Sequence, residues 1–183
     1  MTFLPIDTAR LQLRPIELDD WPQIHRYMSD PDVTRWLPEG VLDAAASQAF
    51  AARHASDAGE ALAVVSKDSG ELIGHIPFHP WFGAHTQEIG WVFARPYQGR
   101  GYATEAAHAL LACAFETLSC HRVIATCQPE NRASWRVMEK LGMRREAHFR
   151  QCLHQKTGEW WDEYFYAILE DEYFARAGRK PAD

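Results

Sequence analysis

The sequence predicts an α+β domain built on one central mixed, mostly antiparallel sheet flanked by helices. Three observations carry this prediction. Ala61–Ser66 and Leu72–Phe78 are β-like runs on either side of the turn Lys67-Asp68-Ser69-Gly70, a β-hairpin pattern. A strand–helix–strand–helix order then runs from Glu88 to Gly142, and a closing pair of strands surrounds Gln155-Lys156-Thr157-Gly158. With 183 residues, 46% of them hydrophobic and 24% charged, the chain suits one globular domain over residues 1–177 and a polar tail over 178–183.

The elements follow in order. Arg10-Leu11-Gln12-Leu13-Arg14 alternates polar and apolar, the pattern of a strand with one buried face, and Pro15 closes it. Asp19 or Asp20 caps a helix with Pro22 in its first turn, Trp21, Ile24 and Met28 on one face, and its end at Asp30-Pro31. Val33 to Gly40 is a loop in which Trp36 and Leu37 either settle on the core or wall an acceptor site. Asp43 caps an alanine-rich helix that runs toward Gly59, with Phe50 its only large anchor. Trp81 to Thr86 connects the hairpin to the next strand.

The next stretch, EIGWVFARPYQGRGYAT from Glu88 to Thr104, organises the chain. Ile89, Trp91, Val92 and Phe93 suit a buried strand, which Pro96 ends by removing a backbone donor. Gly99 and Gly101 permit a turn with positive φ and no side chain in a ligand's way. A helix from Ala103 to Leu118 has a wide apolar stripe through Ala106, Leu110, Leu111, Ala114 and Phe115. A glycine turn feeding a helix start gathers free N–H groups and the positive end of a helix dipole, which suits a phosphate. Arg122–Cys127 is a buried strand, and Asn131 opens a helix with Ala133, Val137 and Leu141 on one face, stopped by Gly142. Arg145–Leu153 and Trp160–Leu169 are the final strands.

Composition excludes some functions. A net charge of −6 argues against a nucleic-acid surface and for cationic partners. No apolar run is long enough to span a bilayer, and residues 1–10 show no signal-peptide pattern, so a cytoplasmic location is expected, with no membrane partner. Cys113, Cys120, Cys127 and Cys152 lack CxxC spacing and read as free, mostly buried thiols, with no metal site expected.

Two familiar phosphate motifs fail on the turn. A P-loop needs four residues between its glycines and a Lys after the second. A Rossmann fingerprint wants Gly or Ala where Thr104 stands, and opens a βαβ unit. Gln98, Gly101 and Ala103 instead fit (Gln/Arg)-x-x-Gly-x-(Gly/Ala), which resembles the pyrophosphate loop of the GNAT superfamily of N-acyltransferases. Thr8 to Pro15, Pro129-Glu130-Asn131-Arg132-Ala133-Ser134 and Glu139-Lys140-Leu141-Gly142-Met143 extend that resemblance over nearly the whole chain. The strand from Glu88 and that from Asp162-Glu163 to Leu169 look like the RimJ/RimL subgroup, the ribosomal-protein N-terminal acetyltransferases.

The resemblance implies a GNAT-like domain with a splayed sheet and acetyl-CoA as acyl donor. Coenzyme A would contact Gln98, Gly99, Arg100, Gly101, Tyr102, Ala103 and Thr104 at its pyrophosphate. Val92, Phe93 and Asn131 would meet the pantetheine arm. Glu105 suits the helix dipole but would repel phosphate unless it points away.

Attack of an amine on a thioester needs a base, an oxyanion donor and a proton for the leaving thiolate. Glu88 is the base candidate, against an ordinary role as a strand-end carboxylate; His75 and His79 are alternatives nearer neutral pKa. A backbone N–H of Val92 or Phe93 is the candidate oxyanion donor. Many relatives place the acid, a Tyr, seven residues after the Asn; here that position is Met138, and Ser134 is the substitute. Cys127 is the one plausible nucleophile for a covalent route, but no adjacent base is visible, so direct transfer in a ternary complex is preferred.

The reaction expected is acetyl transfer to a primary amine: a protein N-terminus, an amino acid or a small amine. Two other readings stay open, a transferase using another acyl-CoA such as succinyl-CoA and a non-catalytic coenzyme A-binding regulatory module. Trp36, Trp81 and Phe82 are candidate acceptor-side residues, and the aromatic final strands offer a homodimer surface.

Overall fold

The computed structural model describes residues 5–56, 59–155, 157–176 and 178. The chain divides into two compact units, one of Met1–His79 and Gly90–Leu110, the other of Pro80–Ile89 and Leu111–Asp183.

The first unit opens with β1 (Ile6–Asp7) and β2 (Leu11–Pro15), paired antiparallel. The alternation in β2 does what it predicts: Leu11 and Leu13 are fully buried while Gln12 and Arg14 stay half-buried. Helix α1 (Trp21–Met28) buries Ile24, Tyr27 and Met28, so Tyr27 joins the predicted face. Asp20 stands at its N-cap but makes no capping bond. Its carboxylate instead accepts from both Arg14 guanidinium nitrogens at 2.7 Å and from the Glu17 amide at 2.8 Å. A bidentate arginine outcompetes the helix amides for this buried carboxylate.

Part of the predicted loop is helical, α2 (Pro31–Thr34), and Leu37 packs on the core, the first of the two alternatives. Asp43 caps α3 (Ala44–His54) by accepting from the Ala46 amide at 2.7 Å. That helix stops well before Gly59, and residues 57 and 58 lie outside the described residues. Phe50 and Ala51 dock it on a core of Ile16, Ile24, Met28, Leu72 and Val92. The hairpin forms as predicted from β3 (Ala61–Ser66) and β4 (Leu72–Pro80).

The stretch beginning at Thr86 departs from expectation. It forms two short strands, β5 (Thr86–Ile89) and β6 (Val92–Phe93), interrupted at Gly90-Trp91. β6 pairs antiparallel with β4, His75 opposite Val92, whereas β5 pairs in parallel with β7 (Arg122–Cys127) of the second unit. The Gly90 amide turns aside to donate to the Pro77 carbonyl at 3.0 Å. An apolar run specifies strand character but not a change of partner within it. Helix α4 (Tyr102–Glu116) follows, burying Ala106, Ala107, Leu110, Leu111, Ala114 and Phe115 as its stripe predicts.

In the second unit β5, β7, β9 (Trp160–Leu169) and β8 (Arg144–His154) lie in that order. β7–β9 and β8–β9 are antiparallel. Between β7 and β8, helix α5 (Arg132–Lys140) runs to Gly142, whose φ is +83°. Its buried side differs from the predicted one: Met138 and Leu141 are in the core, Val137 is half-buried and Ala133 is exposed. A large thioether fills the interior better than Ala133, and the helix is rotated accordingly. Helix α6 (Glu170–Arg176) is the last described element, and most of the expected tail lies outside the described residues. No helix among the described residues is long and apolar enough to cross a membrane.

Candidate active site

In the first unit the glycine turn takes the shape expected of it. Gly99 has φ +69° and Gly101 φ +83°, the left-handed region that favours glycine. No atom lies within 4 Å of where a Gly99 side chain would begin, so this backbone faces open space. The Glu105 amide donates to the Gly101 carbonyl at 3.0 Å, the first turn of α4. The amides of Tyr102, Ala103 and Thr104 precede that bond and by helix geometry have no intrahelical acceptor. Gln98 braces the turn from within, donating through Nε2 to the Phe93 carbonyl at 2.8 Å. Arg100 is exposed beside it. An anionic group fits here.

Glu105 does point away. Its Oε1 accepts from the Thr8 hydroxyl at 2.7 Å and the Arg10 amide at 2.9 Å, and its Oε2 from Arg10 Nε at 2.6 Å. Partial burial disfavours the charge, but the bonds from Thr8 and Arg10 outweigh it and hold the carboxyl below its ordinary pKa. Arg10 continues to the loop itself, donating to the Arg100 carbonyl at 3.1 Å and lying 4.4 Å from the Tyr102 ring. This role of Arg10 is not visible in the sequence: a residue before a strand gives no local sign that its side chain braces a turn 90 positions away.

His75, an alternative base, is fully buried. Its Nδ1 shares a 2.8 Å hydrogen bond with the Tyr27 hydroxyl, and the Phe50 ring meets it edge-on at 5.1 Å. Burial drives its pKa down to about 3, so it is a neutral core residue, remote from any solvent-borne substrate.

In the second unit, Asn131 caps α5 by accepting from the Ser134 amide at 3.2 Å. Ser134 is half-buried and hydrogen-bonds the Cys127 thiol. Burial pushes that thiol up to about 12, against the lowering effect of the Ser134 hydrogen bond. A thiol so protonated at neutral pH is a poor nucleophile, which agrees with the preference for direct transfer. Met138 is wholly buried, so the usual tyrosine position is part of the core.

The face of β5, β7, β9 and β8 carries a cleft of about 570 Å3 lined by Trp81, Glu88, Arg122, Thr126, Glu146, Ala147, Phe149, Glu163 and Phe165. The strand register builds it. Thr126 pairs with Phe165, and Glu163 stands two residues from Phe165 on the same face. The Thr126 hydroxyl donates to Glu88 Oε1 at 3.3 Å and stands within hydrogen-bonding reach of Glu163, so its one proton can serve either carboxylate. Burial raises the Glu163 pKa, Thr126 offsets part of the rise, and the charge of Glu88 adds to it. Arg122 pairs with Glu146, which also takes Arg144 at 2.5 Å. Phe165 holds the apolar wall together, its ring 5.2 Å from Trp81 and 6.1 Å from Phe149. Glu88 and Trp81 were singled out in the sequence as site candidates; Thr126, Phe149 and Phe165 were not, and Glu163 stood out only as part of a strand motif. Alternation in β7 and β9 marks which residues share a face, but only strand pairing brings Thr126 and Glu163 to Glu88.

An anion-ready turn at a helix start and a carboxylate-bearing cleft are features that a group-transfer enzyme of the acyl-CoA class can use. The acetyltransferase (GNAT) domain family matches residues 10–144, and the chain belongs to that family. YnaD of Bacillus subtilis (strain 168), named an uncharacterized N-acetyltransferase, is 50% identical over 168 residues, covering 92% of this chain and 98% of the relative. The crystal structure of a GNAT-family acetyltransferase from Bacillus anthracis matches with a TM-score of 0.88 at 47% identity, over 92% of this chain and 100% of the other. A ribosomal-protein-S5-alanine acetyltransferase from Vibrio fischeri shares the fold, with a TM-score of 0.77 at 21% identity over 93% and 99% of the two chains. The chain is thus an acyl-CoA-dependent N-acetyltransferase, a class that uses acetyl-CoA as cosubstrate and an amine as acceptor.

Proposed function

We propose that this enzyme acetylates a primary amine by direct attack on acetyl-CoA, with Glu88 as base and Ser134 as acid. The observation that carries the reading is the convergence of Glu88, Thr126 and Glu163 in an aromatic-walled cleft, which suits a cationic nitrogen. Pyrophosphate is held by the amides from Gly99 to Ala103, with Gln98, Arg100 and Thr104 in support, and the pantetheine arm by Val92, Phe93 and Asn131. Glu88 takes one proton from the ammonium, directly or through water. The freed lone pair forms the C–N bond at the thioester carbonyl, whose oxygen leans on the Val92 or Phe93 amide. As the C–S bond breaks, Ser134 protonates the sulfur and is restored by the second proton leaving nitrogen. The products are an N-substituted acetamide, free coenzyme A and one proton.

The resemblance to the RimJ/RimL subgroup at Glu88 and Asp162-Glu163 puts a protein N-terminus among the acceptors, beside an amino acid or a small amine. The test is thiol release from acetyl-CoA with peptide N-termini and small amines side by side. Acceptor-dependent release supports the enzyme; tight acetyl-CoA binding with no release for any amine overturns it in favour of a regulatory binding module, and release only with a longer acyl-CoA overturns the choice of donor.

A further inference from the structure

Strand β8 is 11 residues long and has β9 on one side and, among the described residues, no strand on the other. Its course therefore depends on what ties it to β9. The ladder between them is broken midway. Phe149 pairs with Glu163 and Leu153 with Trp161, so Arg150, Gln151 and Cys152 together stand opposite Asp162 alone. This is an enlarged bulge, and Gln151 within it has φ +48°, a left-handed conformation uncommon for a residue with a long side chain.

Side-chain bonds replace the missing ladder. The Asp162 carboxylate accepts from the Gln151 amide at 2.9 Å through Oδ1 and from His148 Nε2 at 2.7 Å through Oδ2. The Gln151 amide first, and His148 next, hold this carboxyl below its ordinary pKa. One residue of β9 thus grips β8 just before the bulge and at its left-handed centre. The Cys152 thiol lies 3.8 Å from the carbonyls of Phe149 and Trp161, a weaker tie across the same gap.

The segment so gripped borders the cleft. Phe149 stands between His148 and the bulge and lines the cleft, while strand alternation turns His148 and Asp162 to the opposite face. Phe149 is 47% exposed, and its ring centre is 6.1 Å from that of Phe165, so packing alone holds it loosely. Its position follows from the backbone of β8, and that backbone from Asp162. Bulges beside binding sites re-aim side chains in this way.

The inference rests on the reading of this cleft as the acceptor side. We propose that Asp162 is a positioning residue that clamps the β8 bulge from the opposite face and so sets where Phe149 stands against the acceptor. Asp162 itself touches neither substrate.

The experiment measures thiol release at saturating acetyl-CoA with ethylamine, spermidine and an alanine-initiated tetrapeptide. For the amines that are acetylated, Asp162→Ala should raise KM about ten-fold, the order of one charge-assisted hydrogen bond, with kcat and coenzyme A affinity nearly unchanged. Asp162→Asn keeps an acceptor for the Gln151 amide and should restore most of the loss. His148→Ala, which leaves that bond in place, should raise KM about three-fold and carries the test if Asp162→Ala does not fold. Combining Asp162→Ala with Phe149→Ala should raise KM no further than Phe149→Ala does, because one change acts through the other. Unchanged KM in the Asp162 and His148 variants, multiplied effects in the double variant, or an equal loss of coenzyme A affinity overturns the clamp and leaves the acetyltransferase reading standing. Release with none of the three amines by the unaltered protein overturns the reading of the cleft and this inference together.

Discussion

Arg10 and Glu105 form an ion pair, Nε to Oε2 at 2.6 Å, across 95 residues of sequence. The same guanidinium reaches the Arg100 carbonyl, so the pair joins β2's approach, the first turn of α4 and the turn that would take pyrophosphate. It also turns a carboxylate at an anion site from a liability into a brace. Arg10→Ala should weaken acetyl-CoA binding about five-fold, the worth of a hydrogen-bonded contact of roughly 1 kcal/mol, with kcat at saturation retained. Calorimetric titration with coenzyme A checks this; unchanged affinity would show that the turn holds itself.

Gly99→Ala separates backbone conformation from crowding, because open space surrounds the position. A positive φ costs an alanine about 1–2 kcal/mol, and that strain should appear in urea unfolding and in coenzyme A affinity together. If neither changes, the glycine is dispensable.

Glu88→Gln should lower kcat by about a hundred-fold near neutral pH, with partial recovery at high pH where the amine deprotonates unaided. Ser134→Ala should lower turnover roughly ten-fold with coenzyme A affinity nearly intact. Full turnover in either variant would remove that residue from the mechanism.

Cys127, protonated at neutral pH by burial, should carry no acetyl group during turnover. Mass spectrometry of enzyme quenched with acetyl-CoA present reads this directly. An acetylated Cys127 that is then discharged by amine would replace direct transfer with a covalent route.

Buried His75 ties stability to pH. Its folded pKa of about 3 lies below the ordinary 6.5, so the unfolded chain binds the proton more tightly. Its neutral-form stability is fully present above pH 6.5 and is lost as pH falls from there toward 3, with a slope of at most about 1.4 kcal/mol per pH unit. Urea unfolding from pH 7 to 4 should show this slope, and His75→Phe should flatten it.

Much of the fold was legible because its signals are local. The alternation at Leu11 and Leu13, the turn at Lys67–Gly70 and the stripe of α4 each declare themselves within a few residues. Caps were half legible: Asp43 and Asn131 cap as their type predicts, whereas Asp20 is diverted by Arg14. The left-handed glycines of the turn at Gly99 and Gly101 were readable from its own residues. The cleft was not, since Thr126, Glu163 and Phe165 come together only through pairing between β7 and β9, and Arg10 reaches the turn only through a contact across the chain. The rotation of α5, which buries Met138 and exposes Ala133, was likewise decided by what the interior needed filled.

The interruption at Gly90-Trp91 has a consequence for the gene. The chain passes from one compact unit to the other at His79–Pro80, returns at Ile89–Gly90, and leaves again at Leu110–Leu111. The first unit is therefore not an uninterrupted length of polypeptide, and the second claims a ten-residue island, Pro80–Ile89, that holds both Trp81 and Glu88. No single truncation yields either unit whole, and no simple splice would transplant the residues that line the cleft as a cassette. Grafting this cleft onto a relative would require moving the island and the C-terminal strands in concert.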